Sequence, residues 1–218
     1  PLVTDKLAIV FTGGAGNKAV IAYDKVAGTK TWCGGAGTNG YSSAHLARID
    51  GAPQVVVLSD FGVQSLEPET GAVLWQNEWQ TKMNTRVVQP TVVDGRSVLV
   101  GTAEGKGTRS LLIARSDTGW TAEEKWTTRE FRPYFNDYVL YRGYCYGFDG
   151  NMLACIDANT GKRRWKGSHY GGQVLLIENS EVLIVLTEKG ELALVRATPN
   201  DFEEIARIPV IKGKTWNH

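Results

Sequence analysis

Apolar residues occur in short runs along the whole chain. The runs are four to six residues long, rich in Val, Ile, Leu and Tyr, and are separated by Gly, Asp and Asn. This spacing is typical of β-strands joined by tight turns rather than of amphipathic helices. Two acidic stretches, 121–124 and 201–204, are the places where we expect a single helical turn within a loop. The pattern predicts an all-β protein.

One phrase recurs along the chain. A strand ends in a small residue, an acidic turn follows, then comes a glycine and, four residues later, a tryptophan. The repeated positions are Asp24, Gly28 and Trp32 in the first copy, Glu67, Gly71 and Trp75 in the second, and Asp157, Gly161 and Trp165 in the third. A fixed phrase that returns at a regular interval indicates a repeat architecture.

The copies align into a unit of four strands. In the clearest unit, the first two strands are joined at Arg142-Gly143, and Asp149-Gly150 makes the tight hairpin to the third, because Asp-Gly supplies the positive φ that such turns need. Trp126 closes another unit, whose last turn we expect to be long (116–124), and Ile205 takes the tryptophan's place in the final unit. A unit of four antiparallel strands that repeats every roughly 40–45 residues is typical of a propeller blade.

The chain is therefore predicted to be one partial β-propeller over residues 1–218, with about five four-stranded antiparallel blades. The predicted blades are 1–38, 39–82, 83–128, 129–167 and 168–213, and residues 214–218 form the run-in to a further blade. Pro1 matches Pro90 and Pro133 as the lead into a first strand. We expect an arc of a larger ring of about seven or eight blades.

The tryptophans are expected to hold neighbouring blades together. Trp in the last strand buries on the order of 200 Å² against the next blade while its indole N–H finds an acceptor there. The small residues Ala22, Ser65 and Cys155, at the head of each copy, make room for it. We interpret the repeated carboxylates as turn residues rather than as ligands, because a side-chain oxygen in a turn bonds backbone N–H groups two residues on.

The phrase Ala-x-Asp-x-x-Thr-Gly-x-x-x-Trp, nearly met by residues 155–165, resembles the tryptophan-docking motif of pyrroloquinoline-quinone-like (PQQ-like) β-propeller repeats. The resemblance covers essentially the whole chain and is specific for the blade type. It implies either a quinoprotein alcohol dehydrogenase, which holds PQQ and a calcium ion, or a non-enzymatic scaffold such as the lipoprotein of the outer-membrane barrel assembly machinery. It also implies a bacterial protein that is periplasmic or secreted.

Charge adds little to this picture. The formal net charge is +1, from 24 basic and 23 acidic side chains, so nothing favours nucleic acid or an anionic membrane as the main partner. We interpret the densest basic cluster, 162–166, as the solvated face of one strand in preference to a nucleic-acid patch. No stretch reaches the roughly 18 uncharged apolar residues of a membrane-spanning helix.

The sequence predicts no catalytic, cofactor-binding or metal-binding residues. The dehydrogenases that the motif resembles place two adjacent cysteines against PQQ, whereas Cys33, Cys145 and Cys155 are separated. Cys145 and Cys155 are expected nearly opposite each other on neighbouring strands, either bridged or, as we favour, as two buried thiols. The glycines at 13–16 lack the lysine and helix of a phosphate loop. The three histidines, none at metal-ligand spacing, are His45, His169 and His218.

Residues 129–138 interleave aromatic and charged side chains between two blades. Within this segment we take Arg132, Tyr134, Phe135 and Tyr138 as the candidate surface for a protein partner. The tryptophans outside the docking position, expected to pack beneath loops, are Trp79, Trp120 and Trp216.

Together these features predict a non-catalytic PQQ-like propeller that serves as a rigid scaffold for protein partners and uses no cofactor. One alternative is part of a PQQ- and calcium-dependent dehydrogenase whose ligands lie in other blades. Another is a sensor or carbohydrate-binding module of a larger protein. Fold alone does not decide between them.

Overall fold

A computed structural model describes residues 1–81, 87–102 and 105–215. In these ranges the chain forms twenty β-strands, one 3₁₀ turn at Glu178–Ser180 and no α-helix. The strands assemble into five four-stranded antiparallel sheets, each a simple meander of consecutive strands. The predicted all-β class and the four-stranded blades of a partial β-propeller are confirmed. No helix in the described part of the chain has the length and apolar character that crossing a bilayer requires.

The five sheets follow one another along the chain. Sheet 1 contains β1 (Leu2–Val3), β2 (Leu7–Phe11), β3 (Val20–Asp24) and β4 (Lys30–Gly34). Sheet 2 contains β5 (His45–Ile49), β6 (Ala52–Leu58), β7 (Gly62–Leu66) and β8 (Val73–Glu78). Sheet 3 contains β9 (Thr91–Val92), β10 (Ser97–Thr102), β11 (Gly107–Ser116) and β12 (Gly119–Thr128). Sheet 4 contains β13 (Val139–Tyr141), β14 (Tyr144–Asp149), β15 (Met152–Asp157) and β16 (Arg163–His169). Sheet 5 contains β17 (Gly172–Ile177), β18 (Val182–Thr187), β19 (Glu191–Arg196) and β20 (Glu204–Pro209).

The predicted hairpin in sheet 4 shows how sequence sets the turns. Asp149 pairs with Met152 across the turn, and Gly150 has a φ of 63°, in the left-handed region that glycine enters without steric cost. The turn before it has Arg142 at a φ of 48°, followed by Gly143 at 82°. Both predicted turns of this unit are therefore confirmed.

The chain divides into two compact units. The first contains Pro1–Val100 and Ser110–Lys125, and the second contains Gly101–Arg109 and the chain from Trp126 onward. Two apolar clusters form the core of the first unit. In one, Ile9 and Trp32 of sheet 1 pack with Val57 and Leu66 of sheet 2. In the other, Trp75 and residues of β6 pack with β10 and β11.

The core of the second unit lies between the faces of sheets 4 and 5. Tyr146, Phe148 and Trp165 pack with Leu183 and Val195 in one cluster. Every second residue of β18 is buried, and Ala193 and Val195 are the buried residues of β19, which is the period expected of a strand with one face against a core. Neighbouring sheets in this unit are thus held by face-to-face apolar packing.

The acidic stretch at 121–124 was expected to be a helical turn, and this prediction is wrong. These residues lie in β12, which pairs with β11 after a turn at residues 117–118, so the last turn of sheet 3 is short rather than long. Trp120 and Ala122 pack on the core while Thr121 and Glu123 are exposed. Burial of alternate residues selects a strand over the local helical preference of the acidic residues. At 201–204 there is no helical turn either, since 201–203 are irregular and β20 begins at Glu204.

The two cysteines are the buried free thiols that the sequence analysis favoured, although their side chains lie on opposite faces of the sheet. Cys155 pairs with Tyr146, and Cys145 pairs with Ile156, so the two cysteines lie one register position apart. Because successive side chains of a strand point to opposite faces, Cys145 and Cys155 do not face each other. Both are buried free thiols, and burial raises the pKa of Cys155 to about 12.

Candidate interaction surface

The repeated acidic residues close the turn between the last two strands of their sheets. Asp24 accepts hydrogen bonds from the backbone N–H groups of Val26 (2.9 Å) and Ala27 (2.7 Å), and these bonds hold its pKa below the usual range. Asp157 accepts two equivalent bonds, each 2.9 Å long, from residues 159 and 160. Glu67 accepts one bond of 2.6 Å from the N–H of Thr70. These carboxylate oxygens are engaged in turn geometry.

The repeated glycines follow in the same turns. The N–H groups of Gly28, Gly71 and Gly161 donate to the backbone carbonyl of the acidic residue in each copy, at 2.9, 2.9 and 2.8 Å. Their φ angles are 69°, 72° and 70°, which is the left-handed conformation. Each turn is thus fixed by bonds to one carboxylate side chain and by backbone bonds, with glycine where the positive φ is needed.

Two of the tryptophans donate a hydrogen bond to the loop between the last two strands of the following sheet. The indole N–H of Trp32 donates to the carbonyl of Pro68 at 3.1 Å, and its ring covers Gly71 so closely that a β-carbon there would overlap it. The indole N–H of Trp165 donates to the carbonyl of Thr198 at 2.7 Å. Ala22 and Cys155 lie directly across the strand pair from Trp32 and Trp165, where a small residue leaves room for the ring.

The other two tryptophans depart from this pattern. Trp126 covers Gly161, but within the described ranges its indole nitrogen has no hydrogen-bond partner. Trp75 donates to the side chain of Gln54 (2.7 Å) in its own sheet, and Gln54 also accepts a 2.6 Å bond from Ser65. The β11–β12 turn of the next sheet has only two residues, 117–118, whereas the loops that Trp32 and Trp165 meet span residues 67–72 and 197–203.

The segment 129–138 is anchored by buried side chains. Phe131 is fully buried and meets the ring of Tyr138 edge-to-face, with ring centroids 5.6 Å apart. Asn136 is also buried, and its amide nitrogen donates to the backbone carbonyl of Gly172. The hydroxyl of Thr108 donates a hydrogen bond to the backbone carbonyl of Phe131 at 2.9 Å. These contacts fix the segment although it contains no regular secondary structure.

The anchored segment presents two aromatic side chains to solvent. Tyr134 is 37% exposed and Phe135 is 40% exposed, and their ring centroids lie 3.8 Å apart. Arg132, two residues earlier, keeps 43% of its side chain exposed. Tyr138 was predicted to belong to the same surface, but it is buried, with its β-carbon against Gly147. The candidate surface is therefore Arg132, Tyr134 and Phe135, and we call it the aromatic–arginine surface.

A buried carboxylate lies directly beneath Arg132. Asp149 has 2% of its side chain exposed and pairs with the Nε of Arg132 and the Nζ of Lys166, both at 2.5 Å, and with Arg163 at 3.7 Å. Burial alone would raise the pKa of Asp149, but the hydrogen bonds from Arg132 and Lys166 outweigh it and lower that pKa. Sequence reasoning identified Asp149 only as a turn residue. The available signal was the cluster of cations at 163, 164 and 166, which the sequence analysis interpreted as a solvated face.

The other residues considered from sequence are structural or lie elsewhere. Trp79 is buried in the core of the first unit, as predicted, and Trp120 packs against the same core. His45 and His169 are exposed strand residues. The glycines at 13–16 lie in the β2–β3 loop. Trp216 and His218 fall outside the described residues.

Residues 1–167 match the sequence profile of a family described as outer membrane protein assembly factor BamB. The chain belongs to this family of PQQ-like propellers. A search of curated proteins gives no match.

Solved structures show the same PQQ-like fold. BamB from Moraxella catarrhalis aligns with a TM-score of 0.63 at 20% identity, over 93% of this chain and 65% of that one. A europium-containing methanol dehydrogenase aligns with a TM-score of 0.61 at 15% identity, over 97% of this chain and 50% of that one. The quinohemoprotein alcohol dehydrogenase ADHIIG from Pseudomonas putida HK5 gives 0.58 at 12% identity, over 82% and 35%. At these identities the likeness is one of fold, and the chain spans 65% or less of each of these three.

Because the PQQ-like fold also occurs in dehydrogenases, we asked whether this chain could hold PQQ and calcium. Calcium requires several converging oxygen ligands. In the described ranges no group of three or more His, Cys, Asp or Glu side chains converges on a point. The carboxylates of Asp24 and Asp157 already accept two backbone bonds each. The described residues of this PQQ-like propeller therefore include no cluster of three or more ionisable side chains that would serve as a calcium site.

Proposed function

We propose that this PQQ-like propeller is a non-catalytic scaffold that binds a protein partner through the aromatic–arginine surface. The observation that carries the proposal is the combination of exposed Tyr134 and Phe135 with a segment held by the buried side chains of Phe131 and Asn136. Loops on a rigid framework are the usual place for recognition residues.

The physical basis is the low cost of ordering this surface. Binding orders mobile side chains and loops, which costs about 0.5–1.5 kcal/mol for each immobilised side chain. Here the backbone of 129–138 is already fixed, and Arg132 is already held by Asp149. Tyr and Arg are also the residue types enriched among the side chains that dominate binding energy.

The family supports a protein partner and suggests where to look for it. Its description is that of an assembly factor for outer membrane proteins. We propose that the partner is a protein of outer membrane protein assembly, and that this propeller works in the periplasm of a bacterium.

A photo-crosslinking side chain tests the surface directly. With p-benzoylphenylalanine in place of Tyr134, irradiation of cells that make the protein is expected to yield one discrete protein adduct, identified by mass spectrometry. Adding Phe135→Ala should reduce its yield roughly fivefold or more, because truncating a dominant interface residue costs over 1 kcal/mol. Phe135 is 40% exposed, so the variant should fold normally.

The matched control is the same crosslinker at Tyr41, which is 70% exposed and lies far along the sequence from the segment. We expect little or no discrete adduct there. Adducts of equal yield and identity at the two positions, or none at position 134, would show that the aromatic–arginine surface is not the binding site.

We further propose that the protein functions without a cofactor. PQQ titrated in the presence of calcium should produce no saturable quenching of tryptophan fluorescence at micromolar concentration, because the described residues form no cluster of three or more ionisable ligands for calcium. A parallel titration with a calcium chelator measures the non-specific optical effect of PQQ. Saturable quenching that the chelator abolishes would instead favour the dehydrogenase.

A further inference from the structure

Positive charge is concentrated in two stretches that meet at Asp149. Residues 129–132 and 162–166 together contain six cationic side chains and one acidic one, in a chain whose net charge is only +1. The six are Arg129, Arg132, Lys162, Arg163, Arg164 and Lys166. Three of them, Arg132, Arg163 and Lys166, contact the carboxylate of Asp149. The result is a local excess of positive charge that includes Arg132, two residues before Tyr134.

Asp149 organises this charge without neutralising it. One buried carboxylate faces three cations, and the only other acidic side chain in contact with them is Glu130, 3.7 Å from Arg163, among the described residues. The cations stay accessible, with 43% of Arg132, 33% of Arg163 and 26% of Lys166 exposed. An exposed ion pair normally contributes little because two flexible side chains must be ordered to form it. Cations that are already held in place avoid much of this entropy loss when they bind an anion.

We propose that Arg132, Arg163 and Lys166, arranged around Asp149, bind an acidic segment of the partner protein, and we call these three residues the basic platform. The proposal rests on the proposed function, since it names the chemistry of the partner at that surface. Carboxylates match the planar donors of Arg, and the neighbouring aromatic pair suits a peptide with apolar side chains among its acidic ones.

A nucleic acid is the less favoured anion. Domains that bind nucleic acid carry a strongly basic overall charge, which steers a polyanion from a distance. The net charge of +1 does not provide that field. Glu130 also lies beside the platform, 3.7 Å from Arg163, where it would repel a continuous phosphate backbone.

The test is the fluorescence anisotropy of a fluorescein-labelled octaglutamate peptide titrated with the full chain at low salt. K162Q/R163Q removes Arg163 of the platform together with the adjacent exposed Lys162, and should weaken binding about five- to tenfold. K6Q/K30Q removes two exposed lysines from sheet 1 and its neighbouring turn, lowers the net charge equally, and should change binding less than twofold. Arg163→Lys keeps the charge but loses the planar donors, and should weaken binding less than K162Q/R163Q does. Unchanged thermal unfolding midpoints verify folding.

Three results would overturn the inference. Equal weakening by K162Q/R163Q and K6Q/K30Q would mean that only net charge attracts the peptide. Absence of octaglutamate binding at low salt would exclude an acidic ligand. Tighter binding of a labelled single-stranded oligonucleotide, lost in K162Q/R163Q, would assign the platform to nucleic acid. If one of these results is found and the crosslink at position 134 still forms, only the inference of an acidic partner segment is wrong. If no discrete crosslink forms at position 134, the proposed function itself is wrong.

Discussion

Replacing Trp165 by alanine is expected to lower the free energy of unfolding by about 3–5 kcal/mol. Trp165 is 6% exposed and packs against Tyr146 and Phe202, with ring centroids 6.0 and 5.7 Å away. Its indole also donates to the carbonyl of Thr198, so the substitution opens a cavity between sheets 4 and 5 and leaves that carbonyl unpaired. Urea unfolding followed by far-ultraviolet circular dichroism measures the loss without relying on tryptophan fluorescence.

Trp165→Phe separates the two contributions. Phenylalanine keeps most of the apolar packing but cannot donate to Thr198, so the expected loss is roughly 1–2 kcal/mol. A loss below 1 kcal/mol for Trp165→Ala would mean that the tryptophan is not what holds sheets 4 and 5 together.

Gly71→Ala should cost about 3 kcal/mol, of which about 1 is the strain of a left-handed alanine and the rest is overpacking. Gly71 has a φ of 72°, and a β-carbon there would overlap the indole of Trp32. The ring is held by its bond to Pro68, so it cannot move aside without losing that bond. Denaturant unfolding of the single variant gives the total cost.

Gly28 provides a matched control in the same chain. Its φ is 69°, nearly that of Gly71, but no atom lies within 4 Å of the added β-carbon. Gly28→Ala should therefore cost only about 1 kcal/mol. Gly71→Ala should fall to the same cost in a Trp32→Ala background, because the overlap is then gone. Equal costs for Gly28→Ala and Gly71→Ala in the unaltered chain would rule out a steric role for the docking contact.

The repeated phrase predicted most of the fold, because it specifies local geometry. Asp24 and Gly28 fix a turn, and alternating burial fixes the strands beside it, so both can be inferred from neighbours in sequence. The prediction of a helical turn at 121–124 failed for the opposite reason. Those residues favour a helical turn locally, and only packing of Trp120 and Ala122 on a distant core makes them a strand.

The candidate surface was predictable only in part. Its location in 129–138 follows from the unusual mixture of aromatic and charged residues. Which of those residues face solvent does not follow, because the segment lacks a periodic structure, and burial of Tyr138 depends on its fit against Gly147. Asp149 was equally hidden, since its partners Arg132 and Lys166 are each 17 residues away in sequence.

The docking bonds have a consequence for how the chain folds. Trp32 and Pro68 are 36 residues apart, and Trp165 and Thr198 are 33 apart, so each bond closes a loop no longer than one repeat. Loop-closure entropy rises only slowly with length, and contacts between consecutive repeats keep the contact order below that of a sandwich whose strands pair across the whole chain. Folding can begin at any adjacent pair of sheets and spread in either direction. A defect such as Gly71→Ala is then expected to slow the growth of structure locally, while distant sheets form at their usual rate.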